Sequence, residues 1–102
     1  MSTQYYLQIV HRNSELGREQ KSSLVRVLQD MGAKRGKDFQ IYPMNRQEVN
    51  GFVAKHRIME TADAALLIYS DDNPKPRVIP YRDAIQPNED IKRQISERIA
   101  SA

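Results

Sequence analysis

The sequence predicts an α/β protein built on a mixed four-stranded sheet, in the order strand, helix, strand, helix, strand, strand, helix. Three observations lead there. Four short segments are rich in apolar and β-branched residues, three longer ones repeat apolar residues at three- and four-residue steps, and Gly, Pro and Asn fall between them. A chain of 102 residues is the size of one domain, so residues 1–102 are read as a single unit with helices layered on both faces of the sheet.

Each element has its own signal. Tyr5-Tyr6-Leu7-Gln8-Ile9-Val10 is aromatic and β-branched and reads as a strand. His11-Arg12-Asn13-Ser14 interrupts it, and Asn13 or Ser14 is placed to cap the helix that follows. In that helix Leu24, Val25, Val27, Leu28 and Met31 form one apolar face, and Gly32 sits where a left-handed C-terminal cap is expected. The basic stretch Ala33–Asp38 reads as a loop. Phe39–Pro43 alternates like a strand with one buried face, and Pro43 assigns it to a sheet edge.

From Arg46 to Glu60, Val49, Phe52, Val53, His56 and Met59 follow a helical spacing despite Gly51. Ala64–Tyr69 is the chain's continuous apolar run, as in a central strand buried on both faces. Ser70–Pro76 has the composition of a turn, and Arg77–Tyr81 reads as the partner strand of a hairpin, held at the other edge by Pro80. Ile91, Ile95 and Ile99 define a last helix with Pro87 and Asn88 near its start. A right-handed crossover makes the first two strands parallel, and the hairpin makes the last two antiparallel.

Composition removes several function classes. With no cysteine there is no disulfide, thiolate nucleophile, iron–sulfur ligation or thiolate-held zinc. His11 and His56 are the only histidines, so no metal and no cofactor is expected. The net charge of +3 arises from 16 basic and 13 acidic residues, too mild to imply nucleic acid alone. The N-terminus lacks the pattern of a secretory signal and no stretch has the length of a membrane span. A cytoplasmic protein without membrane contact is the expectation.

With the elements in order, the chain resembles the thioredoxin-like superfamily in its minimal glutaredoxin-like form. The most specific stretch runs from Arg57-Ile58-Met59-Glu60-Thr61-Ala62-Asp63 into Ala64–Tyr69, then through a turn to Arg77–Tyr81 and the closing helix. The resemblance implies a βαβαββα three-layer fold with a site where the first strand meets the first helix. It also implies a Cys-x-x-Cys there and a cis-proline before the third strand. Here His11–Lys21 holds no cysteine and Thr61-Ala62-Asp63 no proline, so disulfide exchange and glutathione-dependent reduction are excluded.

Three clusters are candidate sites. The carboxyl ends of parallel strands are where α/β folds bind ligands, which would gather His11, Arg12, Asn13 and Ser14 with Glu60 and Thr61 as a partner-binding surface. The plainer alternative there is a capped helix with His11 and Arg12 solvated. Lys34, Arg35 and Lys37, with Lys55 and Arg57, form a basic set suited to nucleic-acid phosphates, or to a solvated helix terminus. His56 lies on an apolar helical face and Asp71-Asp72 in a turn, where each has a structural explanation, so no catalytic residue is assigned. The expectation is therefore a non-catalytic, regulatory protein-binding module on a redox-inactive thioredoxin-like scaffold. Its partner is another protein or a second copy of the chain, with nucleic-acid binding by the basic loops as the alternative.

Overall fold

The structure, a computed structural model, describes residues 3–44 and 62–101. The predicted helix over Arg46–Glu60, and with it Lys55, His56, Arg57, Glu60 and Thr61, lies outside the described residues. Within them the chain runs β1 (Tyr5–Arg12), α1 (Glu15–Asp30), β2 (Phe39–Met44), β3 (Ala64–Ser70), β4 (Asn73–Pro80), α2 (Tyr81–Ala84) and α3 (Glu89–Ser101). The sheet order is β2-β1-β3-β4, with β1 parallel to β2 and antiparallel to β3, and β3 antiparallel to β4. The two proline-bearing strands are at the edges and the two apolar ones at the centre, as their composition predicts.

Alternation along the strands sets two faces. Leu7 pairs with Phe39 and Ile68, and Ile9 with Ile41 and Leu66. This face packs against Leu24 and Leu28 of α1 and Ile91 and Ile95 of α3 in one core cluster. Val10, Ala65 and Leu67 point the other way and are 3%, 0% and 0% exposed, so the central strands are covered on the second face as well, while Tyr6 and Tyr42 on that face stay exposed. Burying a Leu or Ile side chain contributes about 1.5–3 kcal/mol, which makes this two-sided sheet the main source of stability.

Both helix ends of α1 are built from side-chain and glycine chemistry. Ser14 is the N-cap, its Oγ accepting from Gly17 N at 3.0 Å. At the other end Ala33 N donates to Leu28 O and Gly32 N to Gln29 O, the paired bonds that need a left-handed residue; Gly32 supplies it with φ 97°. For α3 the cap is Asn88, whose Oδ1 accepts from Ile91 N at 2.9 Å.

Five boundaries differ from the sequence reading, the first being β3, which runs one residue further, to Ser70. β1 continues through His11 and Arg12, because it gains partners on both sides: His11 pairs with Pro43 and Ala64, and Arg12 N donates to Asp63 O at 2.8 Å. β4 begins at Asn73 rather than Arg77, since Asp71-Asp72 alone make the turn between Ser70 and Asn73. Tyr81, expected to end that strand, instead starts the short helix α2. β2 carries one residue more, to Met44.

The sheet's two borders are poor in free hydrogen-bonding groups. On β4, Pro74, Pro76 and Pro80 have no N–H, and Lys75 N is taken by Asn73 Oδ1 at 3.0 Å. On β2, Phe39 bridges to Arg35, its carbonyl accepts from Gly36 N at 2.8 Å, and Pro43 again lacks an N–H. Gly36 makes that return possible with φ 87°.

Candidate functional site

At the carboxyl end of β1 the predicted residues are adjacent but largely occupied with one another. His11 is 5% exposed and on the core-facing side of β1, contrary to the solvated position expected for it. Its Nδ1 lies 2.9 Å from Arg12 O; a carbonyl can only accept, so Nδ1 carries the hydrogen. Arg12 Nε faces Asp63 Oδ1 at 3.6 Å, and Asp63 N donates to Gln20 Oε1 at 3.0 Å. Asn13 Oδ1 accepts from Arg18 at 3.2 Å.

The first turn of α1 also presses against the end of β1. A Cβ on Gly17 would stand 2.9 Å from Arg12 C and nearer still to its carbonyl oxygen, so the backbones meet with no room for a side chain. Ser14 Oγ occupies one helix N–H, and Glu15 places a negative charge in the same turn. Both disfavour an anion there. What this end presents to solvent includes Asn13, Glu15 and Leu16, the last 51% exposed.

At the opposite end of the sheet, Lys34, Arg35 and Lys37 are all exposed on one ordered turn. Its organiser is Asp38, 4% exposed, whose Oδ2 accepts from Lys34 N at 2.7 Å while its own N–H donates to Lys34 O at 2.8 Å. Asp38 Oδ1 is buried with no hydrogen-bond partner among the described residues. A buried acceptor left unsatisfied costs about 1–3 kcal/mol, so this oxygen is a place where a donor would be welcome.

Arg98 of α3 joins the same region. One of its terminal nitrogens donates to Lys37 O at 2.8 Å, and its guanidinium lies 5.3 Å from the centre of the Tyr6 ring, within cation–π range. β1 starts two residues before its first pairing with β2, at Leu7 and Phe39, so the sheet has a notch here. A cavity of about 380 Å³ fills it, walled by Tyr6, Phe39, Tyr69, Lys37, Asp38 and Arg98. Burial pushes the Tyr69 phenol up from its ordinary pKa, and nearby Tyr42 adds to the shift.

Neither Asp38 nor Arg98 stood out in the sequence. Asp38 follows a run of basic residues and reads as their counter-charge, while Arg98 sits three residues beyond Ile95 on the margin of the apolar stripe. The faint signal was a carboxylate directly before a strand, two residues after Gly36, where turn-capping aspartates occur. Asp71 and Asp72 hold the N-terminal segment rather than a metal: Asp71 Oδ1 accepts from Gln4 N at 3.2 Å and Asp72 Oδ2 from Thr3 at 3.1 Å. No group of three or more His, Asp or Glu suited to a metal occurs among the described residues. None of the described helices is long and apolar enough to cross a membrane. No family model, no curated protein and no solved structure matches the chain.

Proposed function

We propose that the chain is a non-catalytic regulatory module that binds another protein, or a second copy of itself, on a redox-inactive thioredoxin-like scaffold. The parallel β1–β2 pair, the antiparallel hairpin and α1 and α3 on one face support that scaffold. Thiol chemistry has no nucleophile, because the chain has no cysteine. A general-base role for His11 is disfavoured by its burial and by the bond its Nδ1 makes to Arg12 O.

The observation that carries the reading is Leu16. It is 51% exposed in the first turn of α1, beside exposed Asn13, and that turn is held by the Ser14 cap, the Gly17 contact and the Arg12–Asp63 ties. An apolar side chain on a preordered helix start loses little entropy on binding, which favours it as a contact. Affinity capture from the native cell tests it. The intact protein should retain a specific partner, and Leu16→Asp should lose it at an unchanged melting temperature. An inert monomer without a partner, or equal retention by Leu16→Asp, refutes the reading.

A second reading, nucleic-acid binding, is supported by the gathering of Lys34, Arg35 and Lys37 on one turn beside Arg98. It predicts retention on single-stranded DNA or RNA that falls steeply with salt and disappears on charge reversal at those three lysine and arginine positions.

A further inference from the structure

We infer that the notch at the amino end of β1 and β2 is a nucleotide site, with the base against the tyrosines and the phosphate toward the basic turn. This rests on the second reading above and gives it a position and a chemistry. Three features of the notch call for three different parts of one ligand.

The first is a π surface. Tyr6 and Tyr69 pair directly across β1 and β3 on the same sheet face, and Tyr6 is 45% exposed. Arg98 covers part of the Tyr6 ring, so a planar base finds an aromatic face and a guanidinium plane in one place. The second is a further group of positive charges on the basic turn. Lys37 lines the cavity and Lys34 and Arg35 share its turn, a geometry for phosphate oxygens rather than for a neutral aromatic.

The third is polar chemistry in the wall. Asp38 Oδ1 and Arg98 Nε, from two of the lining residues, are buried without a hydrogen-bond partner among the described residues. One needs a donor and the other an acceptor. A nucleobase edge offers both kinds of group once a small side-chain shift brings either atom to the notch surface, whereas a bare phosphate or an aliphatic carboxylate satisfies Arg98 and repels Asp38. The cavity of about 380 Å³ lies within the range of small-molecule sites.

A free nucleoside phosphate and one nucleotide of a single strand share this chemistry, and the experiment separates them. The full chain is titrated with AMP, GMP and a single-stranded octanucleotide, followed by calorimetry and by tyrosine fluorescence; there is no tryptophan to mask the signal. Saturable binding of at least one is expected, weakened roughly ten-fold or more by Tyr6→Leu and by Arg98→Ala. Arg98→Lys should recover part of the loss if charge rather than folding is responsible, and melting curves confirm that each variant is folded. Leu16→Asp should bind as the parent does.

Binding of the monophosphates identifies a free nucleotide as sufficient; binding of the octanucleotide alone identifies the strand. If the octanucleotide binds and reversal of Lys34, Arg35 and Lys37 abolishes it, while Tyr6→Leu and Arg98→Ala change nothing, the notch is refuted and the second reading stands. If neither monophosphate nor oligonucleotide binds, both fall.

Discussion

Replacing Gly17 by Ala tests a close backbone approach, the tightest at any of the described glycines. In a helix Ala is normally favoured over Gly by about 1 kcal/mol, so an ordinary exposed glycine would give a more stable variant. Here the added Cβ would stand 2.9 Å from Arg12 C and 3.1 Å from Arg12 N, where ordinary contacts begin near 3.4 Å. Neither side yields easily. Arg12 is fixed by its N–H bond to Asp63 O at 2.8 Å, and α1 is fixed by Leu24 and Leu28, each 2% exposed in the core. Overpacking of this kind costs about 1–3 kcal/mol, which exceeds the propensity gain at a position only three residues into the helix. Because the clash is with backbone, the cost falls at the upper end of that range, and less the propensity gain the expected net destabilisation is about 2 kcal/mol, or a melting temperature lower by roughly 8–16 °C for a domain of this size. Urea and thermal unfolding followed by circular dichroism measure it, and coincidence of the two transitions checks two-state behaviour. A variant as stable as the parent, or more so, would show that the end of β1 is not locked against α1 and would remove the basis for a preordered Leu16.

Other substitutions probe the same architecture. Ser14→Ala removes the cap on Gly17 N and should cost about 1 kcal/mol in urea unfolding, whereas Asn13→Ala, whose Oδ1 meets only Arg18, should change stability little. Ile95→Ala opens a hole beneath the sheet, since Ile95 is 1% exposed, and should lower stability by about 2–5 kcal/mol. The raised Tyr69 pKa gives a sign as well as a position. Its favourable contribution is complete below the ordinary phenol value and is lost as pH rises through the higher folded value. Ultraviolet titration of the folded protein should therefore show a component ionising above the normal tyrosine range that Tyr69→Phe removes, and its persistence in that variant would contradict the assignment.

The sheet was legible because its signals are redundant. Pro43 and Pro80 forced two strands outward, and the unbroken run Ala64–Tyr69 is buried from Ala64 to Ile68 as a central strand must be. Gly32 and the capping pair Asn13-Ser14 marked the ends of α1 for reasons local to a few residues. What the sequence concealed depends on tertiary partners. His11 and Arg12 look like loop residues until β2 and β3 supply a ladder for them. The Asn-Pro-Lys-Pro stretch looks like a turn because proline is rare within ladders, yet on an edge strand its missing N–H costs nothing. The notch was invisible for the same reason: Tyr6, Asp38, Tyr69 and Arg98 come from four segments, and no spacing along the chain announces their meeting.

The blunted borders of the sheet decide what kind of recognition this protein can practise. A domain that extends its sheet onto a partner reads main chain, which every polypeptide possesses, and so must defend itself against its own copies and against unfolding neighbours. With Pro74, Pro76 and Pro80 on one side and the Arg35–Phe39 return on the other, the described borders offer little of that universal language. Contacts then depend on side chains standing on loops and faces. Such contacts can be rewritten one substitution at a time without touching the sheet, so the scaffold can change allegiance while keeping its shape.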